Sequence, residues 1–335
     1  MDLNAPYREI PNVYAVLNPQ DRLQIIRINK VFLGEGDANQ MAKVADSVNY
    51  DPGELTVTLS HSSNTNTIVF RDSVVTTASG AFSTTQRVYV SNEKLATTGI
   101  YTLTIKNNIT GNTFTSRTTA LDSVVPAWHP FTGPYYPVTP GSEVTSQNYI
   151  NYSVLIQSYS MRFNPNQAKI YQMAMRLHYY DSLGNGNKDF RYIEYVFGNQ
   201  YEKDKVVSKD AFNGTLVSYF KGQDLLTATG NSLAKSINNT GIYGRRMYKI
   251  QFFVFSSTQE YLDYIEFAKP SLNISQQKPL YSNFDNNAAY GIFTFRCRCA
   301  VSKNMDNAFI TEFQRNKSTC GYSFFNADLS RNTCP

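Results

Sequence analysis

Four cysteines, Cys297, Cys299, Cys320 and Cys334, are the residues in this sequence whose type and spacing say most about chemistry, and all of them follow position 296. On a strand, Cys297 and Cys299 would share one face about 7 Å apart, too far to bond each other in extended geometry. Each is therefore expected to pair with Cys320 or Cys334, which gives two disulfides and implies an oxidising compartment. Free thiols and a metal site are the alternatives. Metal fits less well, because structural zinc favours two to four residues between its first two ligands and this pair has one.

The other reactive side chains form no recognisable set. His61 lies in the polar turn HSSNTNT, His129 in a proline-rich stretch and His178 on the polar side of an alternating segment. Neither HExxH nor GxSxG occurs, so each histidine is read as structural, hydrogen-bonded or solvated. A glycosidase needs two carboxylates that can be distant in sequence, and Glu194, Asp263 and Glu266 are candidates, but any β-protein of this size offers as many. DSLGNGNKD, residues 181–189, carries two acids and lacks the closing glutamate of an EF-hand loop. There is no phosphate-binding glycine loop. The residues thus predict no catalytic group, no cofactor and no metal.

Stepping from side chains to the elements that hold them, 335 residues predict two domains. Apolar residues make up 41%, enough for buried cores, and the net charge of +5 is scattered rather than gathered into a basic stripe, which argues against nucleic acid. Tyr 24 and Phe 21, with much Thr, Ser and Asn, match a β-rich secreted or surface protein. No run of about 18 apolar residues is present, so no membrane-spanning helix is expected. Met1-Asp2-Leu3-Asn4 reads as a start placed after a removed leader.

The most legible element is a hairpin over 169–198. Tyr171, Met173, Met175, Leu177 and Tyr179 alternate against Gln172, Arg176 and His178. Gly184 and Gly186 turn the chain, and Phe190–Phe197 returns it. Earlier strands are expected at 13–17, 23–32, 55–59, 67–71, 86–90, 100–105 and 113–118. Their spacing and turns suggest a sandwich. Helical spacing is read at 37–49, 208–222, 258–268 and 306–315. The fold expected is all-β: an immunoglobulin-like sandwich over 1–121, a linker over 122–143 and a larger β-sandwich or barrel over 144–335 with two or three short helices.

That linker holds five prolines and the single tryptophan, Trp128, beside His129, Phe131, Tyr135 and Tyr136. Aromatic faces suit sugar rings and other flat surfaces, so these five are candidate ligand-binding residues. The blander reading is that they wedge the two domains together.

Several segments together resemble an uncharacterised family of Bacteroidota outer-membrane lipoproteins. They are VYAVLNPQDRLQIIRINKVFLG, GIYTLTIKNNITGNTFTSRTTAL and FSSTQEYLDYIEF with KPLYSNFDNNAAYGIFTFR. The last keeps Asn283, Asn287, Gly291, Ile292 and Phe293 but puts Ala288, Ala289 and Tyr290 where the family has a glycine-rich centre. The resemblance implies an exported protein lipidated on a cysteine before Asp2, held at the outer membrane facing the cell surface or the periplasm, and associated with a TonB-dependent outer-membrane transporter. It carries over no catalytic residue. Four D-S-[VL] triplets resemble the phylum's O-glycosylation motif and mark Ser47, Ser73, Ser123 and Ser182.

The function these readings point to is a non-catalytic surface lipoprotein that binds a nutrient or partner. A surface-appendage subunit or adhesin is the first alternative, and a carboxylate-based extracellular hydrolase the second.

Overall fold

A computed structural model describes residues 9–31, 44–76, 85–124, 127–130, 149–150, 158–163, 166–197, 208–209, 216–235, 241–268, 280–305, 307–325 and 334. In chain order the elements are β1 (Pro11–Leu17), β2 (Gln24–Lys30), α1 (Ala45–Val48), β3 (Leu55–His61), β4 (Asn64–Thr76), β5 (Thr85–Ser91), β6 (Ile100–Asn107), β7 (Thr113–Thr119), β8 (Ala127–Pro130), β9 (Tyr149–Ile150) and β10 (Ser158–Phe163). They continue with β11 (Ile170–Leu183), β12 (Lys188–Phe197), β13 (Ser208–Lys209), β14 (Leu216–Lys221), α2 (Gly222–Lys235), β15 (Ile242–Ser257), α3 (Gln259–Ala268), β16 (Tyr290–Met305) and α4 (Asn307–Arg315). The fold is all-β with a few short helices.

Contacts group the chain into two compact units. The first takes Met1–Ser123, Gln167–Ile170 and Ser256–Cys297; the second takes Val124–Asn166, Tyr171–Phe255 and Arg298–Pro335. Neither unit is a single stretch of sequence. Late segments of the chain serve both.

In the first unit, one sheet runs β16-β1-β2-β5-β4 and a second runs β4-β3-β6-β7. β4 belongs to both because its ladder changes partner midway: Phe70 lies opposite Val57, and the next residue, Arg71, lies opposite Val90. Each strand buries alternate side chains. Val13, Ala15 and Leu17 of β1, Ile26 and Ile28 of β2, Val57 and Leu59 of β3 and Leu103 and Ile105 of β6 are all buried. Tyr101 of the second sheet meets Phe295 of the first with ring centroids 5.3 Å apart, so the two inner faces share one core. The Tyr101 hydroxyl accepts the Ala96 N–H at 2.7 Å, an arrangement like the tyrosine corner of immunoglobulin-like sandwiches.

One pairing in this unit differs from the rest. β1 pairs with β16 in parallel, with Val13 opposite Gly291 and Ala15 opposite Phe293. Gly291 has φ +105°, and a Cβ there would lie 1.9 Å from the Val13 carbonyl oxygen. Only glycine fits so close to a neighbouring backbone.

The second unit contains the hairpin read from the sequence. β11 and β12 pair from Met173 opposite Phe197 to Ser182 opposite Lys188. Tyr171, Met173, Met175, Leu177 and Tyr179 are buried, and Gln172, Arg176 and His178 are half-buried on the other face. Gly186, at φ +81°, closes the turn by donating its N–H to the Leu183 carbonyl at 2.9 Å. A second sheet is ordered β13-β14-β10-β8. β8 falls in the stretch read as linker; its proline ends an edge strand, where a missing N–H costs no ladder bond.

Helices α3 and α4 form where helical spacing is read. The expected helix at 208–222 does not: Ser208–Lys209 and Leu216–Lys221 are strands. Leu216–Lys221 pairs in full with β10, from Phe163 opposite Leu216 to Ser158 opposite Lys221. Leu216, Tyr219 and Phe220 fit a helical stripe, but the pairing partner decides, as it does for short apolar runs. The helix begins directly after, as α2, which buries Leu225, Leu226, Thr229, Gly230 and Leu233. A Cβ at Gly230 would lie 2.0 Å from the Ser318 carbonyl oxygen, so the glycine lets the helix approach that segment. Of the helix read at 37–49, Ala45–Val48 is helical and the residues before 44 lie outside the described ones.

Candidate functional site

The cysteines do not pair as expected. Cys320 and Cys334 are bonded to each other, which leaves neither available to Cys297 or Cys299. Cys297 keeps its thiol: it is fully buried on β16 and its S–H donates to the Leu121 carbonyl oxygen at 2.8 Å. Burial pushes this thiol up to about 12, with Asp122 and Asp21 adding to the shift. Alternation along β16 sends Cys297 into the first unit's core, whereas Cys320 opens a short turn beyond α4. The argument from strand spacing correctly kept Cys297 and Cys299 apart, and it missed that the tail closes on itself.

Trp128 and His129 lie on β8, where their backbones pair with Met161 and Ser160 of β10. Their side chains, and Phe131, Tyr135 and Tyr136 altogether, lie outside the described residues. The four triplet serines are each half-buried: Ser47 on α1, Ser73 on β4, Ser123 beyond β7 and Ser182 on β11. Ser182 stands in the hairpin ladder, opposite Lys188. Its neighbour Asp181 is fully buried, 3.0 Å from Arg245 and 3.5 Å from Arg191.

The histidines with described side chains are held structurally. His61 Nδ1 accepts the Ser63 N–H at 3.3 Å while Nε2 lies 2.7 Å from the Thr98 carbonyl, so Nε2 carries the proton. His178 Nε2 lies 2.6 Å from Gln251 Oε1, and Gln251 in turn donates to Ser302. The carboxylates weighed for hydrolysis also have partners: Glu194 is 2.6 Å from Arg176 Nε, and Asp263 accepts from Gln259 Nε2 at 2.8 Å. Among the described residues no three acids, histidines or cysteines gather as a metal site would need.

What the sequence reading missed is a recess of about 400 Å³ in the first unit. Its lining comprises Asn12, Val13 and Tyr14 of β1, Arg27, Asn29 and Lys30 of β2, Val48 of α1, Gln86 of β5, Tyr264 of α3 and Gly291 of β16. The positions follow from strand alternation. Val13 and Ala15 point into the core, which turns Asn12 and Tyr14 outward; Ile26 and Ile28 do the same for Arg27 and Asn29. Across the β1–β2 ladder Tyr14 stands opposite Arg27 and Asn12 opposite Asn29. Helix α3 brings the Tyr264 ring to 6.1 Å from the Tyr14 ring.

The lining is fixed by its own bonds. Arg27 Nε donates to Asn29 Oδ1 at 2.9 Å, and Asn29 Nδ2 donates to the Val48 carbonyl at 3.1 Å. Lys30 lies 3.5 Å from Glu54 and 5.2 Å from the centre of the Tyr50 ring. Burial raises the Tyr14 phenol above its ordinary range, with Tyr261 and Tyr264 adding to the shift and Arg296 opposing it. Tyr14 therefore presents a neutral hydroxyl at physiological pH. The described lining offers hydrogen-bonding amides, two cations and two aromatic rings, and no carboxylate, imidazole, thiol or serine hydroxyl.

No model of a known protein family matches the chain, and no curated protein matches it in sequence.

Proposed function

We propose that this chain is a non-catalytic binding protein of the bacterial cell surface, exported, lipid-anchored at the outer membrane and working beside a TonB-dependent transporter. Its recess in the first unit holds a small polar ligand. The observation that carries this reading is the chemistry of the lining. Two tyrosines, three amides and two cations converge on a volume within the usual range of small-molecule sites. That set suits recognition of a ligand, and the described lining holds no carboxylate, imidazole, thiol or serine hydroxyl. Anchoring and the transporter are supported by the resemblance of three long segments to the outer-membrane lipoproteins described above.

Two measurements test the proposal. Affinity capture from native membranes is expected to recover an outer-membrane transporter, and recovery of no outer-membrane partner would sink that part. Ligand binding in solution is expected to be saturable and to disappear in Tyr14→Ala, whose fold is checked by its unfolding midpoint. Binding that survives Tyr14→Ala would remove the recess from the account.

A further inference from the structure

We infer that the recess takes a small sugar acid, with the carboxylate on Arg27 and the hydroxylated ring against Tyr14 and Tyr264. The inference rests on the recess reading above and adds the charge and class of the ligand.

Charge comes first. The described lining carries Arg27 and Lys30 and no acid, so a cationic ligand would meet two like charges and no counterion. An apolar ligand would strip water from Asn12, Gln86 and Arg27 without replacing their hydrogen bonds, at a cost for each group. An anion avoids both penalties.

The two cations are not equivalent. Lys30 already has Glu54 at 3.5 Å and a tyrosine ring beneath it. Arg27 has no acidic partner among the described residues. Its one hydrogen bond to a described residue runs from Nε to Asn29, which is itself tied to the Val48 carbonyl. Those two bonds set the plane of the guanidinium, and among the described residues nothing takes up its two terminal amino groups, which face a ligand. A planar carboxylate is the acceptor that fits such a fork with two parallel bonds. A phosphate would bring more charge than one unanswered arginine balances, and the described lining supplies no cluster of backbone N–H groups to share it.

The rest of the lining selects the body of the ligand. The Asn12 and Gln86 amides make no hydrogen bond to the described residues, and each can both donate to and accept from a hydroxyl. The Tyr14 and Tyr264 rings, inclined at 59°, present apolar faces of the kind that pack on the C–H side of a sugar ring. Amides for hydroxyls, rings for a pyranose and one fixed arginine for an acid together describe a uronic acid.

The test is titration calorimetry on the whole chain with glucuronate, galacturonate, glucose, galactose, propionate and inorganic phosphate. At least one uronate is expected to bind one per chain, at least about tenfold tighter than its neutral hexose, propionate or phosphate, and less tightly as salt rises. Arg27→Gln is expected to weaken uronate binding about ten- to a hundredfold, the worth of a lost charge-assisted pair, with the unfolding midpoint unchanged. Arg27→Lys, which keeps the charge and loses the fork, should recover only part of it. Hexose binding as tight as uronate binding, lost in Tyr14→Ala, would overturn the acid while leaving the recess in place. Uronate binding untouched by both Arg27→Gln and Tyr14→Ala would overturn the recess as well. No binding of either uronate would also overturn the inference.

Discussion

The Asp181 carboxylate is fully buried, and its Oδ1 lies 3.0 Å from Nε of Arg245, which is itself buried. Arg191 approaches the other oxygen at 3.5 Å, and Arg245 Nη1 donates to the Tyr322 carbonyl at 2.8 Å. Burial pushes the carboxyl above the usual range while both arginines pull it back. Removing one member strands the other charge in the interior. Asp181→Ala is therefore expected to lose about 3–5 kcal/mol in a denaturant titration, and Asp181→Ala with Arg245→Met to lose much less. A double variant that loses as much as Asp181→Ala and Arg245→Met added together would show that the two charges are not coupled.

His178 gives a pH dependence with a definite sign. Burial holds its pKa below the ordinary value of about 6.5, with Lys249 and Arg176 acting the same way and the Gln251 hydrogen bond opposing. The unfolded chain therefore takes up the proton first. The contribution of His178 is present above the unfolded value and declines as pH falls from there to the folded value. His178→Gln should flatten that part of the stability curve. The ring should also titrate below pH 6.5 by NMR. A pKa above 6.5 would contradict the burial described for this side chain.

The thiol of Cys297 is predicted to be inert in the folded protein. Its rise to about 12 cuts the thiolate fraction by roughly a thousandfold relative to a free cysteine near neutral pH. Alkylation followed by peptide mass analysis should find Cys297 unmodified in native buffer, modified in denaturant, and Cys320 linked to Cys334. A Cys297–Cys320 peptide would restore the pairing expected from strand spacing.

Gly291→Ala is expected to cost on the order of 3 kcal/mol, because it adds both a strained φ and a clash with the Val13 carbonyl. The same change should disturb the recess, since Gly291 and Val13 both line it. Thermal unfolding reads the first effect and ligand titration the second. An unchanged midpoint would mean that β1 and β16 separate more easily than their register implies.

Much of the fold could be read from alternation. β11 buries the residues that its period-two pattern marks, because a half-buried strand records its own two faces in sequence. The first arms of the recess were readable in the same way: Asn12 and Tyr14 alternate with Val13 and Ala15, and Arg27 and Asn29 with Ile26 and Ile28. Nothing local tells that Gly291 and Tyr264 join them from the far end of the chain. Leu216–Lys221 was misread because its helical stripe is also compatible with a strand, and the choice is made by β10. The Cys320–Cys334 bond likewise depends on how the tail folds back, which spacing along β16 does not encode.

The parallel pairing of Ala15 with Phe293 joins positions far apart in sequence. During synthesis β1 emerges well before β16, so its parallel neighbour arrives only after the strands between them. Until then it has an unprotected edge, open to mispairing with another nascent molecule. A chain from which β16 is missing therefore leaves one side of β1 without its neighbour in the sheet.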